Sequence, residues 1–168
     1  MEHSQLHGQL RFRSSVPLTC SILRSMTDPL NLPLLAQTVS LILGLSLSGT
    51  DGPIPLPLVE TTEERNLSLY DIERNRIVLP GRCAGPAMPT CRGLVVHELA
   101  HWLLVQHRYF PSTTDPSDRF DAEMAARYVE ECALLRRNEP PEYLRLRQAI
   151  RNGWRPPALP KEGRCQEQ

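Results

Sequence analysis

The residues with the clearest chemical meaning are His97, Glu98 and His101, in the segment His97-Glu98-Leu99-Ala100-His101. Side chains four residues apart on an α-helix share one face, so both imidazoles can bind a single metal ion. Glu98 lies at the flank of that face, where its carboxylate can accept a proton from a metal-bound water. Zinc suits this role because it lowers the pKa of bound water to about 7. The segment therefore predicts a zinc site with Glu98 as general base.

The surrounding sequence favours a metal site over an accidental match. Residues 94–105 are apolar on most faces and contain no proline, which predicts a central buried helix. Burying titratable groups in such a helix is costly unless they are paired or bound to a metal.

Glu123 is the predicted third ligand, since a catalytic zinc ion needs three protein ligands and one open position. It lies 22 residues beyond His101, on the next predicted helix, across a proline-containing loop. The neighbouring Ala122, Ala125 and Ala126 are small, so the two helices can approach closely enough for a carboxylate to reach the metal.

Other residues compete for the third position. Asp121 and Glu130 lie on the same predicted helix as Glu123. His107 has the spacing of the pattern H-E-x-x-H-x-x-G-x-x-H, but Leu104 replaces the glycine that breaks the helix there. In an unbroken helix His107 points about 120° away from His101, which favours a polar residue near the helix end.

Proline is unusually frequent, at 16 of 168 residues, and it divides the chain into short elements. Two apolar runs joined by a charged segment predict an antiparallel hairpin. Polar residues 61–66 predict a turn. The predicted elements are a helix at 34–45, an extended segment at 53–59, hairpin strands at 67–70 and 77–79, and helices at 94–105, 120–136 and 142–150.

The domain organisation follows from the same segments. Residues 29–152 are predicted to form one domain, and residues 153–168 a Pro-rich tail that is ordered only in part. Residues 1–28 are polar and lack periodicity, so we expect a disordered or wrongly assigned N-terminal extension, with Met26 as an alternative start.

Charge and cysteine content limit the partners and the compartment. With 19 basic and 19 acidic residues, the chain lacks the basic excess typical of nucleic-acid binding. Residues 30–49 are too interrupted by polar residues to span a membrane, so a membrane partner is not expected. Among five cysteines, Cys83 and Cys91 are either a disulfide in an exported protein or two loop thiols. We expect a cytoplasmic protein, with export to the periplasm still open.

The segment His97–His101, followed by Glu123-Met124-Ala125-Ala126, resembles the gluzincin arrangement of zinc metallopeptidases. In that arrangement, H-E-x-x-H and a glutamate on a following helix bind zinc. The compact size is most similar to the small bacterial minigluzincins and the ImmA/IrrE peptidase group. Over residues 30–136 the resemblance implies an α+β, zincin-like single domain. Its order is an N-terminal helix, a small and mostly antiparallel sheet, the active-site helix and the glutamate-bearing helix.

The resemblance also implies roles for individual residues. His97, His101 and Glu123 would bind zinc, and Glu98 would be the general base. The strand containing residues 77–79 would be a sheet edge that pairs with an extended peptide substrate, although Pro80 shortens it.

Arg127 and Tyr128, one turn beyond Glu123, offer groups that can stabilise an oxyanion. A packing tyrosine and a surface arginine are the favoured interpretation of these two residues.

The predicted function is that of a zinc-dependent hydrolase, a small metallopeptidase acting on a peptide or protein. Two alternatives remain: hydrolysis of a non-peptide amide, and a non-catalytic regulatory or binding module stabilised by zinc. Glu98 favours an enzyme, because a structural zinc site has four protein ligands and needs no base.

Overall fold

The structure, a computed structural model, describes residues 30–64, 67–85, 90–110, 115–133, 141–163 and 165. The N-terminal extension predicted for residues 1–28 lies outside the described residues.

The fold is α+β, as predicted, and its elements follow the expected order. Within the described residues, four helices accompany two small sheets. The helices are α1 (Leu32–Leu43), α2 (Arg92–Gln106), α3 (Pro116–Ala133) and α4 (Pro141–Arg151), and the strands are β1 (Ser48–Gly49), β2 (Gly52–Pro53), β3 (Leu58–Thr62), β4 (Leu69–Asp71) and β5 (Arg76–Pro80), with a short 3-10 turn at Gly81–Cys83.

Helix α1 begins two residues earlier than predicted because of its capping residues. The Asn31 side chain accepts a hydrogen bond from the Leu34 amide at 3.2 Å, and Pro33 occupies the first turn, where its missing N–H costs nothing. The helix ends at Gly44, whose φ of +71° is the left-handed conformation that glycine adopts without strain.

The larger sheet has the order β3-β5-β4. Strands β4 and β5 form the predicted antiparallel hairpin, whereas β3 pairs with β5 in parallel. Two of the three strand pairs in the described residues, β1–β2 and β4–β5, are antiparallel.

The prediction that residues 77–79 form a sheet edge is wrong, because β5 is the central strand. Ile77 and Leu79 are fully buried, as the side chains of a strand with neighbours on both sides usually are. The edge strands are β3 and β4. Thr61 and Thr62, predicted in a turn, belong to β3 instead.

The predicted extended segment at 53–59 is a strand only at its two ends, in β2 and β3, and its prolines explain the gap. Pro55 and Pro57 have no N–H to donate, and residues 54–57 lie outside any strand. Beyond Pro57 the ladder begins, and the Leu58 amide donates to the Asn75 carbonyl at 3.1 Å.

Helix α2 is the centre of the domain and contacts α1, α3, β4 and β5. Its position explains why its sequence is apolar on most faces. Trp102, Leu99 and Leu103 are completely buried. Helix α3 begins at Pro116, four residues before the predicted start, because Asp115 accepts a hydrogen bond from the Ser117 amide at 2.8 Å and Pro116 suits the first position.

The C-terminal segment packs against the domain over its described part. Leu159 joins the core, and the Arg155 guanidinium donates to the Leu43 carbonyl at 3.3 Å and to the Gly163 carbonyl. These contacts tie residues 154–163 to the end of α1.

Two disulfides are formed among the described residues, Cys83–Cys91 and Cys132–Cys165. The Cys83–Cys91 bond confirms the first of the two interpretations of these cysteines, a disulfide, over two separate loop thiols. The Cys132–Cys165 bond links the end of α3 to the C-terminal segment. None of the described helices has the length and apolar character needed to cross a membrane.

We expect Cys132→Ser to lower the Tm under non-reducing conditions. A disulfide closing a loop of this size contributes about 2–4 kcal/mol, or roughly 5–15 °C in Tm for a chain of this length. Thermal unfolding followed by circular dichroism measures the change. Cys165→Ser and the double variant should unfold at the same temperature as Cys132→Ser. A wild-type Tm in both single variants would show that this bond does not support the fold.

Candidate metal centre

Helix α2 brings the two motif histidines together. It continues without a break from residue 92 to residue 106, so His97 and His101 lie one turn apart on the same face. Their Nε2 atoms are 3.2 Å apart. Both side chains remain partly accessible, at 14% and 24% exposure, from the cavity that they line.

Glu123 on α3 completes a group of three ligand atoms. Its Oε2 atom lies 3.4 Å from the Nε2 atom of His97 and 3.4 Å from that of His101. Completely buried Ala125 and Ala126 follow on the same helix, and their small size lets α3 pack closely. Within the described residues, this is the one group of three or more histidine, cysteine or acidic side chains with metal-binding spacing.

The separations within this group fit a tetrahedral zinc ion. Zinc binds histidine nitrogen and carboxylate oxygen at about 2.0–2.2 Å, and tetrahedral angles then place ligand atoms about 3.3 Å apart. The observed separations are 3.2, 3.4 and 3.4 Å. Two histidines and one carboxylate also leave one of four positions open, as catalytic zinc sites do.

Arg127 holds the second oxygen of the Glu123 carboxylate. Its Nε atom donates to Glu123 Oε1 at 2.9 Å, one helical turn away. With Oε1 engaged in this way, Oε2 is the oxygen that faces the histidines. Arg127 lines the cavity and is therefore not the purely surface arginine that we favoured from the sequence.

Hydrogen bonds from His101 and His97 hold the pKa of the Glu123 carboxyl far below its ordinary value of 4.5, and Arg127 adds to the effect while burial opposes it. Glu123 is therefore ionised, as a metal ligand must be. Because its pKa is lower in the folded than in the unfolded chain, the ionised carboxylate stabilises the fold above the unfolded pKa. That contribution is lost as the pH falls.

Glu130 lies behind His97, on the side away from the other ligand atoms. Its Oε2 atom is 3.5 Å from His97 Nδ1, whereas the ligand group contacts Nε2. Glu130 is only 6% exposed. A carboxylate at Nδ1 orients an imidazole and keeps its Nε2 lone pair available for a metal. The structure thus places Glu130 as a support for His97, a role that the sequence analysis missed by considering it only as a ligand.

Glu98 is 5% exposed and borders the same cavity. Its Oε1 atom accepts a hydrogen bond of 2.7 Å from the Ser68 hydroxyl, just before β4. Ser68 carried no signal in the sequence, because a lone serine inside a predicted strand forms no recognisable catalytic pattern.

The remaining candidates lie elsewhere. Asp121 is exposed and does not belong to the ligand group. The His107 Nε2 atom is 2.7 Å from the Ser46 carbonyl, because α2 continues through Leu104 as the sequence predicted. Tyr128 is buried against Trp154, with ring centroids 6.3 Å apart, in agreement with the packing role favoured above.

The candidate centre opens into a cavity of about 860 Å³. Residues from the β4 region, from α2 and the segment just after it, and from α3 line it, and nine of the nineteen are apolar. Its apolar lining consists of Leu69, Ile72, Leu94, Leu104, Val105, Phe110, Pro116, Phe120 and Ala122, and its remaining lining of Ser68, Tyr70, His97, Glu98, His101, Asp118, Arg119, Glu123, Arg127 and Glu130.

Comparison of the chain with protein-family models, with curated proteins and with solved structures gives no match. The proposed function therefore rests on the geometry of the candidate centre.

We expect the wild-type chain to bind one zinc ion and the His97→Ala, His101→Ala and Glu123→Ala variants to bind it more than about 100-fold more weakly, since each loses a direct ligand. Competition with a chromophoric chelator measures the affinity. Asp121→Ala is the matched control and should bind zinc as the wild type does. Wild-type affinity in Glu123→Ala would exclude Glu123 as the third ligand.

Glu130→Gln should weaken zinc binding by about 10- to 100-fold, as loss of a carboxylate behind a ligand histidine typically does. The same competition assay measures this smaller effect. A loss as large as that of His97→Ala would instead indicate that Glu130 binds the metal directly.

Proposed function

We propose that this chain is a small zinc-dependent hydrolase, a metallopeptidase of the gluzincin type. The observation that carries the proposal is a triangle of two imidazole nitrogens and one carboxylate oxygen, beside a buried glutamate in the same cavity. A structural zinc site would have no use for that glutamate.

The residues divide the chemistry between them. His97, His101 and Glu123 would hold zinc, which when bound would activate water and polarise a carbonyl group. Glu98 accepts the proton released when water attacks the peptide carbonyl, and it then donates that proton to the nitrogen of the leaving amine. The low exposure of Glu98 limits access of bulk water to the base.

An extended peptide suits the shape of the site. Leu69 and Tyr70 of β4 line the cavity, and β4 is an edge strand of its sheet. An edge strand can pair with an extended peptide through backbone hydrogen bonds. The strand that we propose to pair with the substrate is therefore β4, and not β5 as expected from the sequence. A cavity of about 860 Å³ with one such border favours a peptide over a small amide.

The cavity border also favours substrates with large apolar side chains. Ile72 and Phe120 both line the cavity and remain 47% and 66% exposed. Exposed apolar side chains grouped at a cleft usually mark a binding surface. We therefore infer that an apolar side chain of the substrate covers these residues.

The disulfides bear on the compartment. Disulfides persist in oxidising compartments and are rare in the cytosol. The two in this chain favour a site of action such as the periplasm over the cytoplasm that we expected from the sequence.

Glu98→Gln tests the catalytic role directly. The amide is similar in size to the carboxylate but cannot accept the proton, so hydrolysis of a casein substrate should fall by at least about 100-fold. Zinc binding should remain, since Glu98 is not a ligand. Exposed Glu64→Gln is the control and should keep full activity. Equal activity in Glu98→Gln and the wild type would reject the mechanism.

Phe120→Ser should raise the KM for peptides with bulky apolar residues, by roughly 10-fold, because a large apolar contact is removed from the cavity border. Exposed Leu41→Ser, on α1 and away from the cavity, is the matched control. Steady-state kinetics on a peptide series measures the change. An unchanged KM for apolar peptides would show that the substrate does not cover Phe120.

A further inference from the structure

Glu98, the proposed general base, is hydrogen-bonded to the residue that precedes the edge strand β4. Glu98 lies on α2, and Ser68 lies 30 residues earlier, immediately before β4. The 2.7 Å hydrogen bond from the Ser68 hydroxyl to Glu98 Oε1 joins these two elements. Both residues line the metal cavity.

The hydrogen bond uses one of the two carboxylate oxygens of Glu98. An ionised carboxylate only accepts hydrogen bonds, and bonds to ionised acceptors are among the stronger ones in proteins. Since Ser68 engages Oε1, Oε2 is the oxygen left to accept a proton from water. Fixing one oxygen in this way also fixes the rotation of the whole carboxylate group.

We propose that Ser68 is a positioning residue, which holds the Glu98 carboxylate in the orientation needed to accept the proton of the attacking water. The proposal rests on the hydrolase function given above. Ser68 keeps its own proton throughout. The water proton moves to Glu98 and then to the leaving amine, so Ser68 transfers nothing and touches no reacting atom.

The location of Ser68 gives the bond a second consequence. Ser68 precedes Leu69, the first residue of the strand that we propose to pair with the substrate. A peptide bound along β4 is thereby placed against a strand that also holds the base. The bond thereby connects Glu98 to the backbone segment that we propose to pair with the substrate.

A positioning role makes a specific kinetic prediction. Without the hydroxyl, Glu98 can rotate away from the productive orientation, and such misplacement lowers the rate of the chemical step. We expect Ser68→Ala to lower kcat by about 10-fold or more and to change KM by less than about 2-fold. Ser68→Thr keeps the hydroxyl and should restore most of kcat.

The measurement is steady-state hydrolysis by the zinc-loaded full chain, with the Tm and zinc affinity of each variant determined in parallel. Ser40→Ala is the matched control, because the Ser40 hydroxyl donates to the Leu45 carbonyl at the end of α1, away from the cavity. Ser40→Ala should leave kcat unchanged, and Ser68→Ala should keep the wild-type zinc affinity.

The outcomes separate the two proposals. Full kcat in Ser68→Ala, together with an inactive Glu98→Gln variant, would overturn the role of Ser68 and leave the hydrolase function standing. Equal losses in Ser68→Ala and Ser68→Thr would also overturn it, since the hydroxyl would not matter. A zinc-loaded wild type that hydrolyses no peptide would overturn both proposals.

Discussion

The close approach of one carboxylate to two imidazoles is the constraint on which the architecture depends. Glu123 Oε2 lies 3.4 Å from both Nε2 atoms, although it belongs to a different helix. Such an approach requires α2 to run unbroken through the motif and α3 to pack tightly against it. The apolar sequence of α2 and the small, buried Ala125 and Ala126 supply these conditions.

The two buried glutamates of the described core show how the site offsets the free-energy cost of burying a charged group. Glu98 and Glu130 are 5% and 6% exposed, and burial of an unpartnered carboxylate is expensive. Each has a partner on another element: Ser68 before β4 for Glu98, and His97 on α2 for Glu130. Glu98 thus links α2 to the segment before β4, and Glu130 links α3 to α2.

The parts that sequence predicted correctly depend on local signals. Proline positions and apolar periodicity located the helices, and the size of the residues beside Glu123 indicated a close helix pair. The parallel pairing of β3 with β5 joins residues far apart in the chain, so no local pattern specifies it. The sequence nevertheless contains one signal for the central strand. The continuous apolar run of residues 77–79 is typical of a strand buried on both faces.

Each disulfide involves a cysteine in or next to one of the two helices that carry the candidate metal-binding group. Cys91 immediately precedes α2, and Cys132 lies in the last turn of α3. A shift of α3 along α2 by one ångström would change the ligand separations more than zinc geometry tolerates. Through Cys165 and the contacts of Arg155 with the end of α1, the C-terminal segment fixes α3 relative to α1. This segment therefore belongs to the framework that keeps Glu123 in place.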